Sequence, residues 1–186
     1  MGILNDKEIA ELCRGNNPML NPFIAQQEGH PSYGLGSFGY DLRLGRRFIL
    51  HRPHTANIID PRNIKKELFK TIEVSDVFLL QPHSQVLAES VERFNMPDDV
   101  IAEVIGKSTY ARCGLLVNTT LIEAGWRGIL TMELANLTDL PICLYVGYGI
   151  GQVIFHRGER PQITYAEKGG VYQNQKEATL PIGEWG

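Results

Sequence analysis

Residues 106–133 read GKSTYARCGLLVNTTLIEAGWRGILTME, and the rest of the chain is organised around them. The stretch ends inside the run ILTMELAN, residues 129–136. There Leu130, Met132 and Leu134 fall on one face of an extended chain, and Thr131, Glu133 and Ala135 on the other. A period of two over so short a run marks a strand. Working outward, the same unit recurs. Strands are expected at 71–74, 77–80, 85–91, 100–105, 115–119, 129–135, 142–146, 150–156 and 162–166. Turn residues separate them, as in Gln81-Pro82-His83, Met96-Pro97-Asp98-Asp99 and Leu140-Pro141. Many short strands with few helices predict a mainly β sandwich or barrel.

Upstream, Tyr40, Leu42, Leu44, Phe48 and Leu50 are the apolar positions of one more strand, whose polar alternates Asp41 and Arg43 read as a half-buried pattern. Turns are expected at 51–55 and 60–63, and residues 17–40 read mostly as loop. A short helix is predicted from about Asp6 to Arg14. Asn5 is its N-cap, Glu8 closes a capping box, and Ile9, Leu12 and Cys13 form its apolar stripe. The tail from Tyr165 onward is polar and broken at Gly169-Gly170. It reads either as a frayed terminus or as a flap over a ligand.

The chain has 186 residues, 43% hydrophobic and 21% charged, which suits a single globular domain over residues 1–186. A formal net charge of −3 gives no basic excess for nucleic acid, so any anion site must be local. Three widely spaced cysteines (Cys13, Cys113, Cys143) form neither a disulfide framework nor a zinc pattern and suit a reducing cytoplasm. No signal peptide is read at the N-terminus, and no apolar run approaches the ~20 residues of a membrane span.

Gly106-Lys107-Ser108-Thr109 resembles the end of a P-loop, but that motif needs glycine at position 101, which is Ile101. A strand running through a glycine into STYARC still offers a helix start to phosphate, with Ser108 and Arg112 four residues apart on one side. The alternative is a surface turn with a salt-bridged Arg112. Glu133 is either an exposed acid on a wet strand face or a partly desolvated one suited to proton transfer. The histidines lack HxxxH and HExxH spacing, CxxC is absent, and so are the HxE and PCxxC elements of zinc deaminases. A GxSxG nucleophile elbow is missing too.

Six segments in order carry a resemblance: ILNDKEI near the start, GYDLRLG at 39–45, GKSTYARCGLLVN at 106–118, EAGWRGILTMELAN at 123–136, GIGQVIF at 149–155 and YAEKGGVYQNQKEATLP at 165–181. Together they are similar to the dCTP deaminase family of the dUTPase-like superfamily. The resemblance implies a distorted jelly-roll β-barrel with a short N-terminal helix, a homotrimer with active sites between subunits, and zinc-independent hydrolysis of dCTP to dUTP and ammonia. It implies catalytic roles for Glu133 as general base, and for Arg112 and Ser108 beside the cytosine and phosphates. Lys107, Ser108, Thr109 and Arg112 would take the triphosphate, and Glu123 the 3′-hydroxyl. Tyr165, Lys168, Tyr172 and Gln175 would belong to a flexible flap, residues 165–186. Mg²⁺ is expected on the triphosphate, with dTTP as feedback inhibitor near Thr119 and Thr120. One departure stands out: Val171 occupies a position where the family usually carries lysine, leaving Lys168 as the nearby cation. A bifunctional enzyme that also cleaves dUTP to dUMP and pyrophosphate, or a non-catalytic nucleotide-binding regulator, are the other readings.

Overall fold

The computed structural model describes residues 2–52 and 58–183. The turn expected at 51–55 and the last three tail residues lie partly or wholly outside them. In chain order the elements are β1 (Gly2–Ile3), α1 (Asp6–Leu12), β2 (Leu20–Asn21), β3 (Gly34–Leu35), β4 (Tyr40–His51) and a 3₁₀ turn (Lys66–Leu68). They continue with β5 (Phe69–Glu73), β6 (Val77–Leu80), β7 (Gln85–Asn95), β8 (Val100–Gly106), α2 (Ser108–Arg112), β9 (Leu115–Asn118), β10 (Arg127–Asn136), β11 (Ile142–Tyr145) and β12 (Gly149–Arg157). The fold is the mainly β one expected, a curled antiparallel sheet with a short N-terminal helix.

The curl comes from β4. Its first residues, Tyr40 to Arg43, pair with β12, and Leu44 to Leu50 then pair with β7. The register shifts between Leu44 and Phe48. Gly45 sits in that shift, where a Cβ would meet Glu89 Cγ at 2.3 Å, so the close approach of β4 and β7 requires glycine there. One strand thus carries the chain from a layer built on β12, β8 and β1 to a layer built on β7, β10, β9 and β5. Tyr40, Phe48, Phe94, Met132, Leu134 and Phe155 are fully buried between them, and Phe48 stacks on Phe78 with ring centroids 4.4 Å apart. Among the described residues no helix is long and apolar enough to cross a membrane.

Helix α1 begins as its capping box dictates. Glu8 N donates to Asn5 Oδ1 at 3.1 Å, Asn5 N donates to Glu8 Oε2 at 3.0 Å, and Ile9 is fully buried. Three expectations are corrected. The polar face of β4 is not half-wet: Asp41 is 2% exposed, and Arg43 reaches the fully buried Glu92. Residues 162–166 are turn rather than strand. Thr164 N donates to Glu167 Oε2 and Glu167 N to Thr164 Oγ1, a reciprocal pairing that supports a helical turn and competes with a sheet ladder. Strands β2 and β3 lie within the stretch read as loop, each too short to show a period.

Glu92 accepts from both the backbone N–H of Arg43 (3.0 Å) and its Nε (2.7 Å), and burial still pushes its carboxyl above the ordinary range. Arg43→Met strands that acid and is expected to lower the unfolding free energy by about 3 kcal/mol, while Arg43→Met combined with Glu92→Leu recovers most of the loss. Urea unfolding of the two variants checks this.

Candidate active site

Strand β10 carries the central acid. Its buried face holds Leu130, Met132 and Leu134, and its other face turns Thr131 and Glu133 toward a cavity of about 580 Å³. Register places Glu133 between Leu87 of β7 and Asn118 of β9. Asn118 Nδ2 donates to Glu133 Oε2 at 3.1 Å. Desolvation by burial raises the Glu133 carboxyl above its usual value of 4.5, and the Asn118 bond only partly offsets it. Glu133 is half-buried, and the tail and the loop before β10 line the same cavity. A carboxyl whose proton affinity is raised by burial, beside a cavity, is equipped to exchange protons with a bound molecule.

The tail is the cavity's outer wall. Trp126 Nε1 donates to the Tyr172 carbonyl at 2.9 Å, and Tyr172 N donates to Tyr165 Oη at 3.1 Å. Gln175 pairs with Gly128 in a parallel bridge, and its carbonyl accepts from Ile129 N (2.9 Å) and Arg93 Nη1 (3.1 Å). Gly128 (φ +157°) leaves room for this, since a Cβ there would lie 2.9 Å from Gln175 N. Farther on, Thr179 N donates to Thr131 Oγ1 at 3.0 Å. The described tail is thus fastened down along β10.

The candidate residues separate into two groups. Glu123, Glu133, Tyr165, Tyr172 and Gln175 line the one cavity. Lys168 stands at its edge, its Nζ 2.6 Å from Glu123 Oε2 and 5.1 Å from the centre of the Tyr165 ring. Thr120 lines the cavity too; Thr119 does not. Lys107, Ser108, Thr109 and Arg112 do not line it either. Lys107 turns inward to Asp41, whereas Ser108, Thr109 and Arg112 are exposed on α2. Among the described residues lining the cavity there is no Lys or Arg. Val171, 66% exposed, points none of its surface into the lining. Sequence reading missed His51, Gln85, Trp126, Thr131 and Thr179, which also form the wall. Thr131 was within reach, being two residues from Glu133 on the same strand face; His51 depends on strand registers that no local pattern shows. Among the described residues no group of three or more His, Cys, Asp or Glu could hold a metal ion.

Residues 3–158 match the model of the dCTP deaminase-like family. The chain belongs to that family. It is 43% identical over 184 residues to the dCTP deaminase of Acidobacterium capsulatum, covering 97% of this chain and 99% of that one. It is likewise 43% identical over 184 residues to the dCTP deaminase of Campylobacter lari, covering 97% and 98%. The fold superposes on the crystal structure of 2′-deoxycytidine 5′-triphosphate deaminase from Agrobacterium tumefaciens with a TM-score of 0.64 at 24% identity. That match covers 84% of this chain and 48% of that one, so the present chain spans about half the length of that structure.

The raised Glu133 carboxyl has a thermodynamic consequence. The folded chain holds this proton more tightly than the unfolded chain, so the group favours folding below its ordinary value and opposes it once ionised at neutral pH. Glu133→Gln is expected to raise Tm at pH 7.5 by roughly 2–4 °C. The gain should vanish below about pH 4. Calorimetry at the two pH values measures both.

Proposed function

We propose that the protein hydrolyses dCTP to dUTP and ammonia, with Glu133 rather than a zinc ion activating water. The observation that carries this reading is the half-buried Glu133, its proton affinity raised, facing a nucleotide-sized cavity in a chain of this family. The lack of zinc-deaminase motifs in the sequence agrees with it. Glu133 takes a proton from water as the oxygen attacks C4 of cytosine, and passes it to N3. The tetrahedral centre then collapses: the hydroxyl proton moves through Glu133 to the amino group, the C4–N bond breaks, and ammonia departs. Glu133 ends as it began, ionised. Asn118, bonded to Oε2, holds the carboxylate in place.

Binding follows the same logic. Glu123 accepts the sugar 3′-hydroxyl once Lys168 leaves it, and Tyr165, Tyr172 and Gln175 close over the nucleotide. The substrate enters as its Mg²⁺ complex, the ion riding on the triphosphate. Phosphate needs cations, and none of the described residues lining the cavity is Lys or Arg. We therefore propose a homotrimer in which Ser108, Thr109 and Arg112 of one subunit meet the cavity of the next. Support comes from the exposed apolar side chains Ile101 and Ile105 on β8 and Leu116 on β9, which flank α2 in sequence and suit a covered face. The cavity would also admit dTTP as an inhibitor, with Thr120 in its wall. The dUTP formed would feed thymidylate synthesis in the cytoplasm, where free Cys13, Cys113 and Cys143 stay reduced.

With Mg²⁺-dCTP, the protein is expected to release ammonia and dUTP without pyrophosphate; pyrophosphate would instead mark the bifunctional reaction. Glu133→Gln should lower kcat by about 10²–10⁴-fold with little change in KM. A complete absence of ammonia from the wild-type protein would sink the proposal.

The shared site has its own test. Glu133→Gln and Arg112→Ala should each be inactive alone. After co-refolding in equal amounts, up to about a quarter of the sites become whole, because cyclic symmetry mixes the two subunits in each site. No recovery would place Glu133 and Arg112 on the same subunit's site or on none.

A further inference from the structure

A second cavity, of about 520 Å³, shares the tail residues Thr179 and Pro181 with the first. Its chemistry is the reverse. Among the described residues, the first cavity is lined by two carboxylates, Glu123 and Glu133, and by no Lys or Arg. The second is lined by Arg47 from β4 and by Arg62 and Lys66 from the segment before β5, against one carboxylate, Glu177. Glu177 is already engaged, its Oε1 lying 3.0 Å from Arg47 Nη2. Arg47 Nε is buried with no hydrogen-bond partner. The side chains of Arg62 and Lys66 are exposed, and neither has an ion-pair partner among the described residues. Asn63 and Thr71 add a carboxamide and a hydroxyl to the lining.

Three cationic side chains and two neutral donors around one concavity match an anion with many oxygens and several charges. None of the described lining residues is aromatic, so the cavity offers no surface on which a base could stack. We propose that this cavity is a second, non-catalytic anion site that takes a linear di- or triphosphate, either free or as the phosphate end of a nucleotide whose base stays outside. Its wall is the tail itself. Residues 177–183 line it, and Ala178 N and Thr179 N are the points where the tail is pinned to Glu89 and Thr131. An anion bridging Arg62 and Lys66 to this segment holds the tail in its docked position, and so bears on the first cavity without entering it.

The test is calorimetric titration with inorganic tripolyphosphate and, separately, with dUTP. The tripolyphosphate arm needs no turnover and stands apart from the deaminase reading, whereas the dUTP arm counts the first cavity as one nucleotide site. Wild-type protein is expected to bind one tripolyphosphate per chain. Arg62→Ala with Lys66→Ala should weaken that binding at least about tenfold, each lost contact being a charge-assisted hydrogen bond. Lys66→Glu alone should weaken it as well, and a melting curve establishes that each variant is folded. In the dUTP arm, a second equivalent per chain that disappears in the double variant identifies the nucleotide's phosphates as the source. A single equivalent that the double variant retains identifies the free inorganic anion. Absence of tripolyphosphate binding, or equal affinity in the wild-type and doubly substituted proteins, overturns the site.

Discussion

Charge buried inside a sheet must be paired, and that requirement organises this fold. Strand β4 brings Asp41 and Arg43 into the interior on one face. Asp41 is met by Lys107 Nζ, by Gln27 Nε2 at 2.8 Å and by Ser32 Oγ at 3.5 Å. Arg43 is met by Glu92 from β7. Each pair joins segments far apart in sequence, and a misregistered strand would leave several kcal/mol of unpaired charge in the interior. The pairs add little net attraction over an apolar core, but they penalise the wrong arrangement heavily. The Lys107 contact lies at the junction where β8 ends and α2 begins. With the lysine turned inward, the next hydroxyls and Arg112 face outward.

The strands were legible where a period of two ran for four residues or more. β6 appears with the bounds expected of it, and β7 to β12 differ only at their ends. What failed was the reading of which faces are wet. Asp41 and Arg43 look like solvent-facing alternates, because burial is decided by the loop from Gln27 to Ser32 and by β7, whose positions no local pattern encodes. Glu133 shows the same limit from the other side. Its strand face was readable from the sequence, but its desolvation depends on a tail some forty residues later.

The candidate site was legible as a set of residues but not as an arrangement. Spacing marked Glu133 and the hydroxyl-rich start of α2 as candidates, and the family resemblance added Glu123. The structure gathers the two acids with Tyr165, Tyr172 and Gln175, and leaves the start of α2 on another surface. No local pattern in the six-residue step from Arg112 to Asn118 shows that α2 stays out of the cavity wall.

This separation has a physical rationale. A cavity that must raise a carboxyl's proton affinity cannot hold free guanidinium groups close by, since each would lower it again. Glu133 keeps its raised affinity because its neighbours are Asn118, Thr131 and apolar side chains rather than cations. Glu123, at the rim and partly exposed, tolerates Lys168 at 2.6 Å. The fold thus keeps the raised carboxyl of Glu133 inside the cavity and the cationic side chains at or beyond its margins. The tail, docked along β10, is the element through which the two can communicate.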